Sequence, residues 1–92
     1  MQIANNNLFP TVSVAVITWN RLEFTQCTLA SLEQTLSRSG EIIVVDNHSD
    51  SKMQPWLRGW ETTGPNRWAI LLEKNIGPGH ACELAWEAAT GK

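Results

Sequence analysis

Four consecutive β-formers, Ile42, Ile43, Val44 and Val45, run without interruption into the short polar residues Asp46, Asn47, His48, Ser49 and Asp50. A strand with no polar face is one buried on both sides, which is the signature of a central parallel strand covered by helices. Such a strand delivers the chain to the carboxyl edge of its sheet, where open α/β sheets bind their ligands. Asp46 is the first residue past the apolar run, so its carboxylate is expected to face a ligand from a rigid base. Asn47, His48, Ser49 and Asp50 supply turn chemistry and an N-cap for a following helix. On this junction alone, a capped βα turn without a ligand is an equally good reading.

The remaining chain repeats the same unit. Residues 1–11 read as a flexible leader with Asn5, Asn6 and Asn7 in a row. Val12 to Ile17 is a second nearly continuous apolar run and reads as the first strand. Leu22, Leu29, Leu32 and Leu36 recur at helical spacing and predict an amphipathic helix from Leu22 to about Ser37. After the central strand, Asp50 to about Trp60 predicts a short helix, with Pro55 tolerable in its first turn. Trp56 and Trp60 share one face of it, as packing or as a docking surface. Trp68 to Leu72 is a third strand. The turn from Glu73 to Gly79 feeds a helix from about His80 to Thr90, with Ala81, Leu84, Ala85 and Ala88 on its buried side and Gly91 as its stop. Strands alternating with helices imply an α/β fold: a three-layer, Rossmann-like α/β/α sandwich on a three-stranded, mainly parallel sheet.

Composition narrows the function. A net charge of −2, with basic residues scattered, leaves no footprint for nucleic acid or an anionic membrane. No apolar run approaches the length of a membrane span, so the expected location is cytoplasmic, with any membrane association residing in a longer parent. Cys27 and Cys82 lack metal-ligand spacing and are expected to be packed, free thiols of a reducing compartment. Five tryptophans in 92 residues are many, and some are expected at a surface.

All three strand exits carry groups suited to a nucleotide. Thr18 offers a hydroxyl, Trp19 a flat face for stacking on a base, and Asn20 an amide. Asp46 and Asn47 offer partners for a base edge or ribose. Gly77 and Gly79 open a helix, where exposed N–H groups and the helix dipole favour anions. The glycine signatures of a dinucleotide fold and of a P-loop are both absent. His48 and His80 read as ordinary loop histidines, and there is no nucleophile elbow or metal-ligand cluster.

The segments V-S-V-A-V-I-T-W-N-R, E-I-I-V-V-D-N-H-S-D, E-K-N-I-G-P-G-H-A and A-A-T-G-K, in this order over residues 12–92, closely resemble the N-terminal half of the family 2 glycosyltransferases, the large GT-A group. The resemblance implies a truncated GT-A fold and a donor-nucleotide half-site. Thr18, Trp19 and Asn20 then match positions around the base, Asp46 and Asn47 the pair that binds base and ribose, and Asn75 and Gly77 a turn near ribose and phosphate. Asp50 matches a structural cap. Departures are Ile17 for the usual Pro, Trp19 for Tyr, Glu83 for Asn and Ala85 for Gly, with Glu83 the one expected to alter donor contacts.

The resemblance also implies an inverting enzyme that uses a nucleotide-diphosphate sugar, UDP-, GDP- or dTDP-linked, and a divalent cation, Mg or Mn, held by an Asp-x-Asp motif. Asp46 and Asp50 are the chain's only aspartates and neither lies in such a motif. Cation grip and general base are both missing from these residues, so they are expected to bind nucleotide, hold no metal and have no activity alone. The alternative expectation is a non-catalytic binding or assembly module, dimerising through an exposed sheet edge or the Trp56 and Trp60 face.

Overall fold

A computed structural model describes residues 12–36 and 40–89. The expected leader, the turn at 37–39 and the stop at Gly91 lie outside the described residues. The elements are β1 (Val12–Thr18), α1 (Leu22–Thr35), β2 (Gly40–Asp46), α2 (Met53–Trp60), β3 (Arg67–Leu71) and α3 (Gly77–Ala88). The strands form one sheet in the order β1-β2-β3, parallel throughout. The α/β/α sandwich expected from the alternating pattern is therefore the observed fold.

The all-apolar run of β2 is explained by its place. Ile42 and Val44 point to one face and join Leu29 of α1 and Met53, Leu57 and Trp60 of α2. Ile43 and Val45 point to the other and meet Ala81 and Ala85 of α3. Each such side chain, buried completely, stabilises the fold by roughly 1.5–3 kcal/mol. The two small alanines let α3 lie close to the sheet, where it packs on β1 and β2.

Trp60 is packing rather than a docking surface: it is 6% exposed, and its indole N–H donates to Glu33 Oε2 at 2.6 Å. Glu33 also pairs with Arg67, whose guanidinium lies 5.6 Å from the centre of a Trp60 ring. Trp56 is partly buried against the same cluster. Trp19, Trp68 and Trp86 are exposed, as the abundance of tryptophan led one to expect.

The two sheet edges differ. On β3, the outward backbone N–H of Ala69 donates to Glu61 Oε2 at 2.9 Å, so a side chain caps this edge. Residues Val14, Val16 and Thr18 of β1 turn their backbone toward β2, as the bond from Asn47 N–H to the Thr18 carbonyl shows for the last of them. Ala15 and Ile17 therefore point their backbone outward, with no cap among the described residues.

Three local expectations need correction. Cys27 and Cys82 are free but exposed, because the buried positions of their helices are Thr25 and Leu29 in α1 and Ala81 and Ala85 in α3. Ala88 is likewise exposed, at the far end of α3. Helix α2 begins at Met53 with Lys52 at the N-cap and no side-chain cap. Asp50 stands too early to cap it: its N–H is held by Asn20 Oδ1 at 2.8 Å, and its own carboxylate accepts from Lys52 N–H at 3.2 Å.

Candidate functional site

Register sets the geometry. Thr18 pairs with Asp46, and Asp46 with Leu71, so the three strands end level on one rim. The ladder continues one step further, with Asn47 N–H donating to the Thr18 carbonyl at 2.8 Å and Leu72 N–H to the Asp46 carbonyl at 3.0 Å.

Asp46 is the knot of this rim. It is fully buried, and its carboxylate accepts four hydrogen bonds. Oδ1 takes the Thr18 hydroxyl at 2.6 Å and the Ser49 hydroxyl; Oδ2 takes Ser49 N–H at 2.9 Å and Gln54 Nε2 at 2.9 Å. An ionised carboxylate offers about four acceptor positions, and here all are used. Burial pushes the carboxyl pKa up, but the bonds from the Ser49 hydroxyl, Thr18, Ser49 N–H and Gln54 outweigh it and hold the group below its ordinary value. In this structure the Asp46 carboxylate faces inward, because hydroxyls and an amide converge on it from three segments.

Ser49 relays this order to the first strand exit. Its hydroxyl accepts the Asn20 backbone N–H at 2.6 Å, while Asn20 Oδ1 accepts Asp50 N–H. Asn20 and Arg21 both have left-handed backbone, with φ of 59° each. That conformation is tolerable for Asn and costly for Arg, and the cross-rim bonds hold it. Gln54 fastens the other side, its amide also donating to the Leu72 carbonyl at 3.0 Å. Ser49 and Gln54 are site-building residues that the sequence reading missed. Gln54 lies at a helical position with no motif, and only the fold aims it at Asp46.

The third exit is tied to the second by Asn47. Its side chain is almost wholly buried, at 3% exposure for the residue, and Oδ1 accepts the Ile76 N–H at 2.9 Å. Asn75 is exposed and its Oδ1 accepts Gly77 N–H at 2.8 Å. Gly77 has φ of +84°, which a glycine adopts without strain. The helix N-terminus is consequently less open to anions than expected. The donors of Ile76 and Gly77 are used internally and Pro78 has none, so Gly79 carries the first one left for a ligand.

Trp19, the residue after β1, is 60% exposed, and just beyond it the Arg21 guanidinium lies 5.2 Å from the centre of the Phe24 ring. A concavity of about 790 Å³ lies on the α2 side of the rim, between His48, Asp50, Arg58 and Leu71. It is separate from Trp19, Asn47 and Gly77. Its wall includes Ser49 and Gln54, the two residues that bond Asp46 from the α2 side, so it borders the rim there.

The described residues do not fit a divalent cation. They contain no group of three or more His, Cys, Asp or Glu able to hold one, and the Asp46 oxygens are fully engaged. Among the described residues, no helix is long and apolar enough to cross a membrane.

Comparison with known proteins agrees with this architecture. The pattern defining glycosyl transferase family 2 matches residues 13–92. No curated protein matches the chain at a significant level. Among solved structures, the mannosyltransferase PcManGT from Pyrobaculum calidifontis, in complex with GDP-Man and Mn2+, superposes with a TM-score of 0.77 and 27% identity. The match covers 89% of this chain and 25% of that one, so the chain spans about a quarter of the mannosyltransferase. Parallel strands ending level, polar exits gathered on one rim and a family match over nearly the whole length lead to one conclusion: the chain belongs to glycosyl transferase family 2.

Proposed function

We propose that this chain is the donor-nucleotide-binding half of a sugar-nucleotide-dependent, inverting glycosyltransferase of family 2. The observation that carries the reading is the gathering of Trp19, Asn47 and the Asn75–Gly77 turn on the rim knotted by Asp46. Thr18, Asn20 and Asp46 hold the rim's shape. Trp19 offers its exposed face to the base, and Asn47, Asn75 and Gly77 border the ribose and phosphate. The similarity to a mannosyltransferase bound to GDP-Man supports a nucleotide-diphosphate sugar as the ligand.

The chemistry divides accordingly. These residues bind and orient the nucleotide. The Mg or Mn that a GT-A enzyme uses has no fitting ligands among the described residues, and none of the rim residues described is placed to take a proton from an acceptor hydroxyl. Residues 12–92 thus bind the donor nucleotide without transferring its sugar.

Calorimetric titration with UDP, GDP and dTDP tests the reading. At least one binds at millimolar concentration or below, and Trp19→Ala weakens it by about 1–3 kcal/mol through lost stacking. Absence of heat with all three would remove the nucleotide assignment. An assembly module built on the Trp56 and Trp60 face gains no support from a buried Trp60 and a capped β3 edge.

A further inference from the structure

We propose that the hollow on the α2 side of the rim is a binding site in its own right: it takes a phosphate-type oxyanion apart from the nucleotide, and its occupant steadies the Asp46 knot from outside.

Helix α2 has two uses. Met53, Leu57 and Trp60 carry one face into the core. Gln54 and Arg58, one turn apart on another face, line the hollow of about 790 Å³. His48 is brought to the same wall from the β2 exit by a left-handed backbone, with φ of 65°. Arg67 is paired with Glu33, and Arg21 lies over Phe24. Arg58 and His48, by contrast, make no ion pair, ring contact or side-chain hydrogen bond among the described residues. Asp50 is the one carboxylate in the wall, and it is turned back on its own loop, where Oδ1 accepts the Lys52 N–H at 3.2 Å.

An unpaired guanidinium, an imidazole and the Ser51 hydroxyl around one concavity suit a compact group with negative charge and several oxygen lone pairs. Phosphate has that chemistry, whereas a cation would be repelled by Arg58. Trp19, Asn47 and Gly77 lie outside the hollow, so it is free when a nucleotide occupies the rim. The two places are nevertheless joined. Ser49 and Gln54 line the hollow and bond the Asp46 carboxylate, so an occupant that orders them restrains the knot on which the rim is built. Only this influence on the nucleotide rests on the nucleotide-binding reading; the phosphate site does not.

Inorganic phosphate, titrated at constant ionic strength into the 15N-labelled 92-residue chain, shifts the Ser51 and Gln54 amides and the Arg58 Nε–H saturably, and sodium chloride does not. Arg58→Gln has no partner to lose, so it melts with the wild type, yet it binds phosphate roughly tenfold more weakly or worse. His48→Asn, which keeps a residue suited to the left-handed turn, also weakens binding. Lys74→Gln removes the same charge away from the hollow and leaves phosphate binding unchanged. Phosphate stabilises folds generally by exclusion from their surface, so a melting rise of equal size in wild type and Arg58→Gln overturns the inference. Phosphate that shifts no resonance of the hollow overturns it as well, and so does phosphate that UDP displaces. Saturating phosphate tightens UDP binding severalfold, and an unchanged UDP affinity overturns the coupling. A chain that binds phosphate in the hollow but never UDP upholds the site and removes the nucleotide reading.

Discussion

Thr18 and Asp46 lie 28 residues apart in sequence and face each other as register partners, the hydroxyl donating to Asp46 Oδ1 at 2.6 Å. This bond closes the ends of β1 and β2 together. Because Ser49 and Gln54 bind the same carboxylate, a single side chain fixes the relative positions of the β1 exit, the β2 exit and α2.

Asp46→Ala leaves buried donors on Thr18, Ser49 and Gln54 without their acceptor. It destabilises the chain by about 2–4 kcal/mol, measured by urea denaturation. A loss below about 0.5 kcal/mol would show that water replaces the carboxylate at no cost.

The same group makes stability depend on acid. Its pKa in the folded chain is below the ordinary value of 3.8, so ionised Asp46 stabilises the fold above that value. The contribution disappears as pH falls through the lowered folded-state pKa. Urea midpoints between pH 2 and pH 6 therefore drop at the acid end in wild type and drop less steeply in Asp46→Asn.

Ser49→Ala removes the relay between Asn20 and Asp46. A cost of about 1–2 kcal/mol is expected, with faster hydrogen exchange at the Asn20 amide, whose acceptor is lost. Gln54→Ala gives a similar cost but leaves Asn20 exchange unchanged, since Gln54 binds on the other side of the carboxylate.

Two glycines of one turn separate backbone strain from crowding. A methyl group at either Gly77 or Gly79 meets no atom within 4 Å, but only Gly77 has a positive φ. Gly77→Ala costs about 1–2 kcal/mol in thermal melts, whereas Gly79→Ala is neutral within about 0.5 kcal/mol.

Periodicity alone located the fold. Runs of period-free apolar residues at Val12 and Ile42 became the strands, and leucines at helical spacing became α1, because burial on two faces or one leaves that imprint directly. The rim residues Thr18, Asn20, Asp46, Asn47, Asn75 and Gly77 were legible from their position after the strands. Their orientation was not. Whether Asp46 points to solvent or into the protein depends on Gln54, eight residues away and in a helix, and on which face of α2 meets β3. The exposure of Cys27 and Cys82 escaped the sequence for a related reason: a weakly amphipathic helix leaves its buried stripe to be chosen by the sheet beneath it.

Glu61 gives the sheet a direction of growth. An incoming strand at β3 would have to evict a carboxylate from the Ala69 amide, leaving a charge to be rehydrated and a donor to be matched anew, while at Ala15 and Ile17 it would meet backbone that none of the described residues caps. Among the described residues the β1 flank is thus the less protected of the two, and charge introduced along it would discourage a further strand from pairing there.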